Sequence, residues 1–219
     1  MRHLILFDFD GTLADTAPDL AAAANKLRTR KGLPELPYEA LRPMASHGAR
    51  GLLKASLGID PDHPEYDALR IQFLEDYERD MMNRTRLFSG IPDLLAQLKQ
   101  HGHAWGIVTN KVEYLARPIV RHLGLEAECA ITVGGDTASH PKPHPAPLLY
   151  AAEKAGFEPR YCVYIGDDER DIIAGKAAGM PTIAAAYGYC SMESAYGWQA
   201  DAIVTAPEDI WQTLQRLLP

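Results

Sequence analysis

Cysteine is scarce in this chain of 219 residues: Cys129, Cys162 and Cys190 are odd in number and show no CxxC or Cys/His ligand spacing. That argues against a disulfide framework or a cysteine-based zinc site and leads us to expect three packing thiols in a reducing, cytoplasmic setting. Long apolar runs are missing as well. Stretches such as Leu4–Phe7 and Ala184–Tyr187 fall far short of the roughly 18 residues a membrane span needs, so no membrane partner is expected. The apolar run behind Arg2 and His3 meets Asp8 and Asp10 at once, so no export signal is expected. Basic charge is in deficit. Lys and Arg number 22 against 29 Asp and Glu, and the net charge of −7 argues against a nucleic-acid or anionic-membrane surface.

What is present is a globular composition, 47% hydrophobic and 23% charged, in a chain long enough for one large domain or a domain with a smaller module. After residue 90, short aliphatic runs alternate with helical patterns, the signature of βαβ units and a parallel sheet. Strands are predicted at His3–Phe7, Ala104–Thr109, Cys129–Val133, Cys162–Ile165, Thr182–Ala186 and Ala202–Val204. Helices are predicted at Ile91–Gln100, Glu113–Leu123, Pro145–Ala155, Asp171–Ala178 and Pro207–Leu218. Residues 16–84 break this rhythm and contain no convincing strand. Three helical stretches are predicted there, Pro18–Lys31, Tyr38–Leu57 and Pro64–Asn83. The third places Leu69, Phe73, Leu74, Tyr77 and Met81 along one stripe. The expected architecture is therefore an α/β core, a parallel sheet flanked by helices made of residues 1–15 and 85–219, with an all-helical insert at 16–84.

The chemistry is concentrated at predicted strand ends, where parallel α/β sheets collect ligands. The first strand runs into DFDGTLADT, with Asp8 and Asp10 two residues apart and Gly11 and Thr12 signalling a turn. The strand at Cys162–Ile165 is followed by GDDERD, with Asp167, Asp168 and Asp171. A third strand ends in Thr109, Asn110 and Lys111, and Lys142 lies in the proline-stiffened SHPKPHP loop. Carboxylates gathered at one sheet edge repel each other unless a cation sits among them. A hard ion held by few carboxylates, with waters and substrate phosphate completing its shell, is the Mg²⁺ pattern. Phosphate monoester hydrolysis demands charge neutralisation above all, and a metal, a lysine and hydroxyl or amide donors meet that demand. Single residues have plainer readings: Lys142 as a solvated lysine, Thr109 and Asn110 as a helix cap, Asp168 and Glu169 as first-turn acids. The ordered set carries the argument.

DFDGTLADT, VTN, the lysine of KPHP and GDDERD, in that order, resemble the four motifs of the haloacid dehalogenase-like superfamily. The resemblance implies that Asp8 is the nucleophile and Asp10 the general acid and base. It implies that Thr109 and Lys142, with Asn110 beside them, bind the transferring phosphoryl group. Asp8, the main-chain carbonyl of Asp10, and Asp167 would hold Mg²⁺, with Asp171 and Asp168 supporting the metal's waters. Asp8 against a metal stays ionised and able to attack phosphorus. Asp10, crowded by carboxylates and not neutralised by side-chain ligation, is expected to hold the proton that the departing alkoxide needs.

The insert resembles the small helical cap of the superfamily's phosphoglycolate phosphatase-like branch, which closes over a site and excludes water. Within it, SHGARG at Ser46–Gly51 is suited to a tight turn, and Arg50 is a candidate partner for a substrate carboxylate or phosphate. DTAPDL, VTNK and KPHPAPL fit that branch, whereas WGIVTNK, LFSGIPDLL and WQAD also resemble the N-acetylmuramic acid 6-phosphate phosphatases. A small phosphorylated metabolite, phosphoglycolate ahead of a sugar phosphate, is the expected substrate. Receiver-like phosphoacceptor modules share the acids, Thr, Lys and Mg²⁺, but need neither Asp10 nor a cap. With no exposed apolar stripe in view, a monomer or weak homodimer is expected.

Overall fold

The structure, a computed structural model, describes residues 2–218. Its strands are β1 Leu4–Phe7, β2 Ala14–Asp15, β3 Arg86–Leu87, β4 Ala104–Val108, β5 Thr132–Val133, β6 Cys162–Gly166, β7 Thr182–Ala185 and β8 Ala202–Val204. Its α-helices are α1 Ala17–Arg30, α2 Tyr38–Leu41, α3 Gly48–Leu57, α4 Tyr66–Asp80, α5 Ile91–Gln100, α6 Glu113–His122, α7 Ala146–Ala155, α8 Glu169–Ala177, α9 Met192–Gly197 and α10 Asp209–Leu217. The chain forms two compact units, one made of residues up to Ala14 and from Leu87 onward, the other of Asp15–Arg86. The two-residue strands β2 and β3 lie at these crossings and pair with each other.

The first unit is built on a six-stranded sheet in the order β5-β4-β1-β6-β7-β8, with every adjacent pair parallel. All four residues of β1 and all five of β4 and β6 are buried, as strands covered on both faces require. On one face Leu4 and Leu6 pack with Leu148, Ala151 and Ala152 of α7 and Ala174 of α8. From β1 the sheet is extended to one side by β4 and β5, and the chain then returns to place β6 on the other side. This reversal creates a crevice at the carboxyl end of β1, where ligands collect in such sheets. Register aligns Phe7 with both Ile107 and Ile165, so the segments after β1, β4 and β6 emerge side by side.

Two expectations are revised. The strand predicted at Cys129–Val133 is regular only at Thr132–Val133. The earlier residues do reach β4, Ala130 N–H donating to Trp105 O at 2.8 Å, but outside the regular ladder. Helix α9 was not foreseen, because its six residues carry too little apolar periodicity; Ser191 caps it by accepting the Ser194 N–H at 3.1 Å.

The second unit is all helical apart from its strand ends. The stretch predicted as one helix over Tyr38–Leu57 is instead α2, a 3₁₀ segment at Arg42–His47, and α3. Pro43 removes a backbone donor, and Gly48 at φ 57° redirects the chain. Leu69, Phe73, Tyr77 and Met81 are buried as the stripe on α4 anticipates, while Leu74 is half-buried. Asp76, 2% exposed, is gripped by the Arg30 guanidinium at 2.5 and 2.7 Å. Asp19 accepts the backbone N–H groups of Arg84 and Thr85 and the Thr85 hydroxyl, which fastens the start of this unit to its end.

Ile183 of β7 is fully buried and pairs in register with Ile165. Ile183→Ala is expected to lower stability by about 2–5 kcal/mol, read from urea unfolding, with unchanged secondary structure by circular dichroism.

Candidate active site

Asp8 follows β1 directly and stays in line with the sheet, its N–H donating to Ile165 O at 2.8 Å. The chain then turns. Phe9 O accepts the N–H groups of Leu13 and Ala14, and Gly11 takes φ 84°. After β6, Asp167 enters beside Asp8, and Asp171 arrives on the first turn of α8, both 1% exposed. Carboxylate oxygens of Asp8, Asp167 and Asp171 lie within 4.8 Å of one another.

Lys142 reaches into this group from its loop and is 4% exposed. Its ammonium lies 2.9 Å from Asp8 Oδ1 and 2.7 Å from Asp171 Oδ1. Asn110 fixes the lysine's main chain from both sides, accepting the Lys142 N–H and donating to its carbonyl, each at 2.9 Å. The amide expected to meet substrate is thus engaged with the loop that carries Lys142. Thr109, 2% exposed at the end of β4, accepts the Lys111 N–H at 3.1 Å.

Glycines let the carboxylates come this close. A Cβ on Gly11 would stand 2.2 Å from Asp167 Oδ2, one on Gly188 2.3 Å from Asp167 Cβ, and one on Gly166 2.3 Å from Asp171 Cγ. Asp167 is oriented by the Thr12 hydroxyl at 3.1 Å and the Tyr189 N–H at 2.8 Å. The aromatic segment Tyr187–Tyr189 therefore belongs to the site's wall, and the Tyr187 hydroxyl also donates to Thr12 O at 2.8 Å.

Three buried carboxylates face one buried ammonium, an imbalance that suits a divalent cation. Burial pushes Asp8 up to about 7 despite Lys142, with Asp171 and Asp10 adding to the rise. Asp167 is raised well above the usual carboxylate range, by burial first and then by Asp8 and Asp171. Burial opposes the charge on Lys142, but Asp171 and Asp8 outweigh it and hold the lysine above its ordinary value. Oxygen donors alone, clustered and negative in excess, fit a hard cation such as Mg²⁺. Asp171 is the least available of the three: Oδ1 accepts from Lys142 and has the Tyr164 hydroxyl oxygen 3.1 Å away, and Oδ2 accepts from the Asp168 N–H.

Three further predicted residues have partners or places of their own. Asp10 has a cationic partner, Lys111 Nζ at 2.9 Å, which the sequence did not announce. Asp168 caps α8 and holds the Arg170 side chain through both oxygens, at 2.7 and 2.9 Å. Arg50 is exposed on α3 of the second unit. The sequence reading missed the side chains of Lys111 and Tyr164; a tyrosine inside an otherwise aliphatic strand was the available signal for the latter.

Residues 5–185 match the model of the haloacid dehalogenase-like hydrolases. The chain belongs to that family. Among these hydrolases, it is 45% identical to a phosphoglycolate phosphatase of Xanthomonas campestris, over 95% of this chain and 94% of that protein. It is 40% identical to an N-acetylmuramic acid 6-phosphate phosphatase of Pseudomonas aeruginosa, over 98% and 95% of the two chains. A crystal structure of a "predicted phosphoglycolate phosphatase" from Haemophilus somnus superposes with TM-score 0.84 at 28% identity, covering 98% of each chain.

In this hydrolase without metal, Asp8 and Asp167 keep protons that an unfolded chain gives up near 3.8. For Asp8, raised to about 7, the folded state then binds more protons than the unfolded state between about pH 4 and 7, so this group lowers stability as pH rises through that window, and Asp167 acts in the same direction. A divalent cation bound to the ionised carboxylates would relieve the loss. The gain in Tm on replacing EDTA by saturating Mg²⁺ is therefore expected to grow from pH 5 to pH 7.5; a gain independent of pH would contradict it.

Proposed function

We propose that this hydrolase is a Mg²⁺-dependent phosphomonoesterase that acts through an aspartyl-phosphate, with 2-phosphoglycolate as its substrate. The observation that supports the chemistry best is Asp8 held between Lys142 and Asp167 at the carboxyl end of the central strand. The 45% identical phosphoglycolate phosphatase supports the substrate. Asp8, Asp167 and the Asp10 carbonyl would hold the ion, with Asp171 behind them. When bound, Mg²⁺ supplies positive charge to the phosphoryl oxygens and to Asp8.

In the first step an oxygen of Asp8 attacks phosphorus and the ester P–O bond breaks. Lys142 and Thr109 meet the charge on the phosphoryl oxygens. The departing alkoxide takes a proton from Asp10. In the second step Asp10, now a carboxylate, takes a proton from a water, whose oxygen attacks phosphorus, and the bond from phosphorus to Asp8 breaks to release inorganic phosphate. Lys111, paired with Asp10 at 2.9 Å, must exchange onto an anionic group of the ester for Asp10 to carry the proton. A phosphoester that also bears a carboxylate provides such a group. The helical unit of residues 15–86 is proposed as a cap, with Arg50 as its contribution to the substrate's anionic end. A small phosphorylated molecule is the expected partner.

Asp8→Asn is expected to lower kcat at least about a thousandfold while leaving Tm near that of the parent; near-normal turnover would remove Asp8 from the nucleophile's place. Steady phosphate release that EDTA stops separates this enzyme from a receiver-like module, which accumulates one phosphoryl group per chain without turnover.

The 40% identical N-acetylmuramic acid 6-phosphate phosphatase favours a second substrate reading. For the purified protein, kcat/KM is expected to be at least about tenfold higher for 2-phosphoglycolate than for N-acetylmuramic acid 6-phosphate, a difference of roughly 1.4 kcal/mol. The reverse order would assign the second substrate.

A further inference from the structure

The ammonium of Lys142 has more oxygen neighbours than protons. Asp171 Oδ1 lies at 2.7 Å, the Tyr164 hydroxyl at 2.8 Å, Asp8 Oδ1 at 2.9 Å and Val108 O at 3.1 Å. Tyr164 is fully buried on β6. Its hydroxyl oxygen also stands 2.8 Å from Val108 O and 3.1 Å from Asp171 Oδ1. Its ring belongs to the apolar cluster with Leu4, Leu6 and Leu148, a place a phenylalanine would fill as well. The hydroxyl is what calls for a reason, because burying it is unfavourable unless its hydrogen bonds are made.

Proton counting fixes how those bonds run. An ammonium has three hydrogens to donate and accepts nothing, whereas a phenol donates one and accepts. The phenol keeps its proton here, since burial, followed by Asp171 and Asp8, holds it well above its ordinary value. The shorter of its two acceptors is Val108 O, so Tyr164 donates there and accepts from Lys142. The lysine's other two hydrogens go to Asp171 and Asp8. Every donor is then used, and Val108 O takes the phenol's proton at 2.8 Å while standing 3.1 Å from the ammonium.

We propose that Tyr164 is a positioning residue for the reaction: its hydroxyl takes one N–H of Lys142 at 2.8 Å, ahead of Val108 O at 3.1 Å, so that another N–H stays aimed at Asp8 and the phosphoryl oxygen beside it. Without the hydroxyl, the N–H it accepts is left to Val108 O, 3.1 Å away, and the ammonium is drawn toward that carbonyl and out of the geometry that serves Asp8. This rests on the phosphomonoesterase reading above, but not on which ester is the substrate.

The test is Tyr164→Phe, assayed with p-nitrophenyl phosphate at saturating Mg²⁺. Loss of one hydrogen bond to a charged group predicts a fall in kcat of about tenfold or more, with KM within about twofold. Combined with Lys142→Met, Tyr164→Phe is expected to add no further loss, because it acts through the lysine. An unchanged kcat per folded molecule, a loss confined to KM, or losses that multiply in the double variant would each overturn the proposal. The ¹⁵N resonance of the Lys142 ammonium in the unmodified protein decides the same point should the variant not fold. Restrained, slowly exchanging protons are expected, and a freely rotating ammonium would overturn the assignment. If the unmodified protein hydrolyses no phosphomonoester at all, the functional reading fails, while the resonance still reports on Tyr164.

Discussion

Mutual repulsion among three buried carboxylates, Asp8, Asp167 and Asp171, is the constraint to which the rest of the sheet's carboxyl edge answers. Each is delivered by a different piece of local structure: the end of β1, the end of β6 and the first turn of α8. None can retreat into solvent, because the parallel register that brings β1 and β6 together is fixed by strands buried on both faces. The chain meets the repulsion with one ammonium, with backbone N–H and hydroxyl donors to Asp167, and with glycines where any side chain would fill the space. A negative excess remains, and that remainder suits a cation.

Electrostatics at this edge works by allotment more than by total charge. Lys142 answers Asp8 and Asp171, Lys111 answers Asp10, and Arg170 answers Asp168. The overall charge of −7 says little about small anions, because much of the acidity in the first unit sits in the two short motifs that build the site. Neutralised locally, those acids present a polarised centre instead of a repelling surface.

The strands, the acidic motifs and Lys142 were legible because each is written in contiguous residues: an aliphatic run followed at once by Asp8, or by Asp167 with Asp171 on the next helical turn. The helical nature of the insert was legible for the same reason. What escaped notice depends on residues far apart in the chain. No local pattern tells that Lys111 will meet Asp10, or that Asn110 will clasp Lys142 across 32 positions. Tyr164 lies unmarked inside the strand predicted at Cys162–Ile165; its ring is core, and its hydroxyl acquires a task only when β4 places Val108 O beside it. The break in the second cap helix was visible as Pro43 and Gly48, but the surrounding helix formers outweighed them in a reading by periodicity.

The crossings at Ala14–Asp15 and Arg86–Leu87 form a two-stranded ribbon, so the inserted segment leaves and re-enters the chain's path at neighbouring points. Inside it, Asp19 binds Arg84 and Thr85, which closes the segment on itself. Such an insertion is a module in the engineering sense. Its length and helix count can drift, or be exchanged wholesale, without disturbing a single rung of the main sheet. In the role of cap proposed above, such a module would let what is recognised diversify while the chemistry of the sheet edge is preserved.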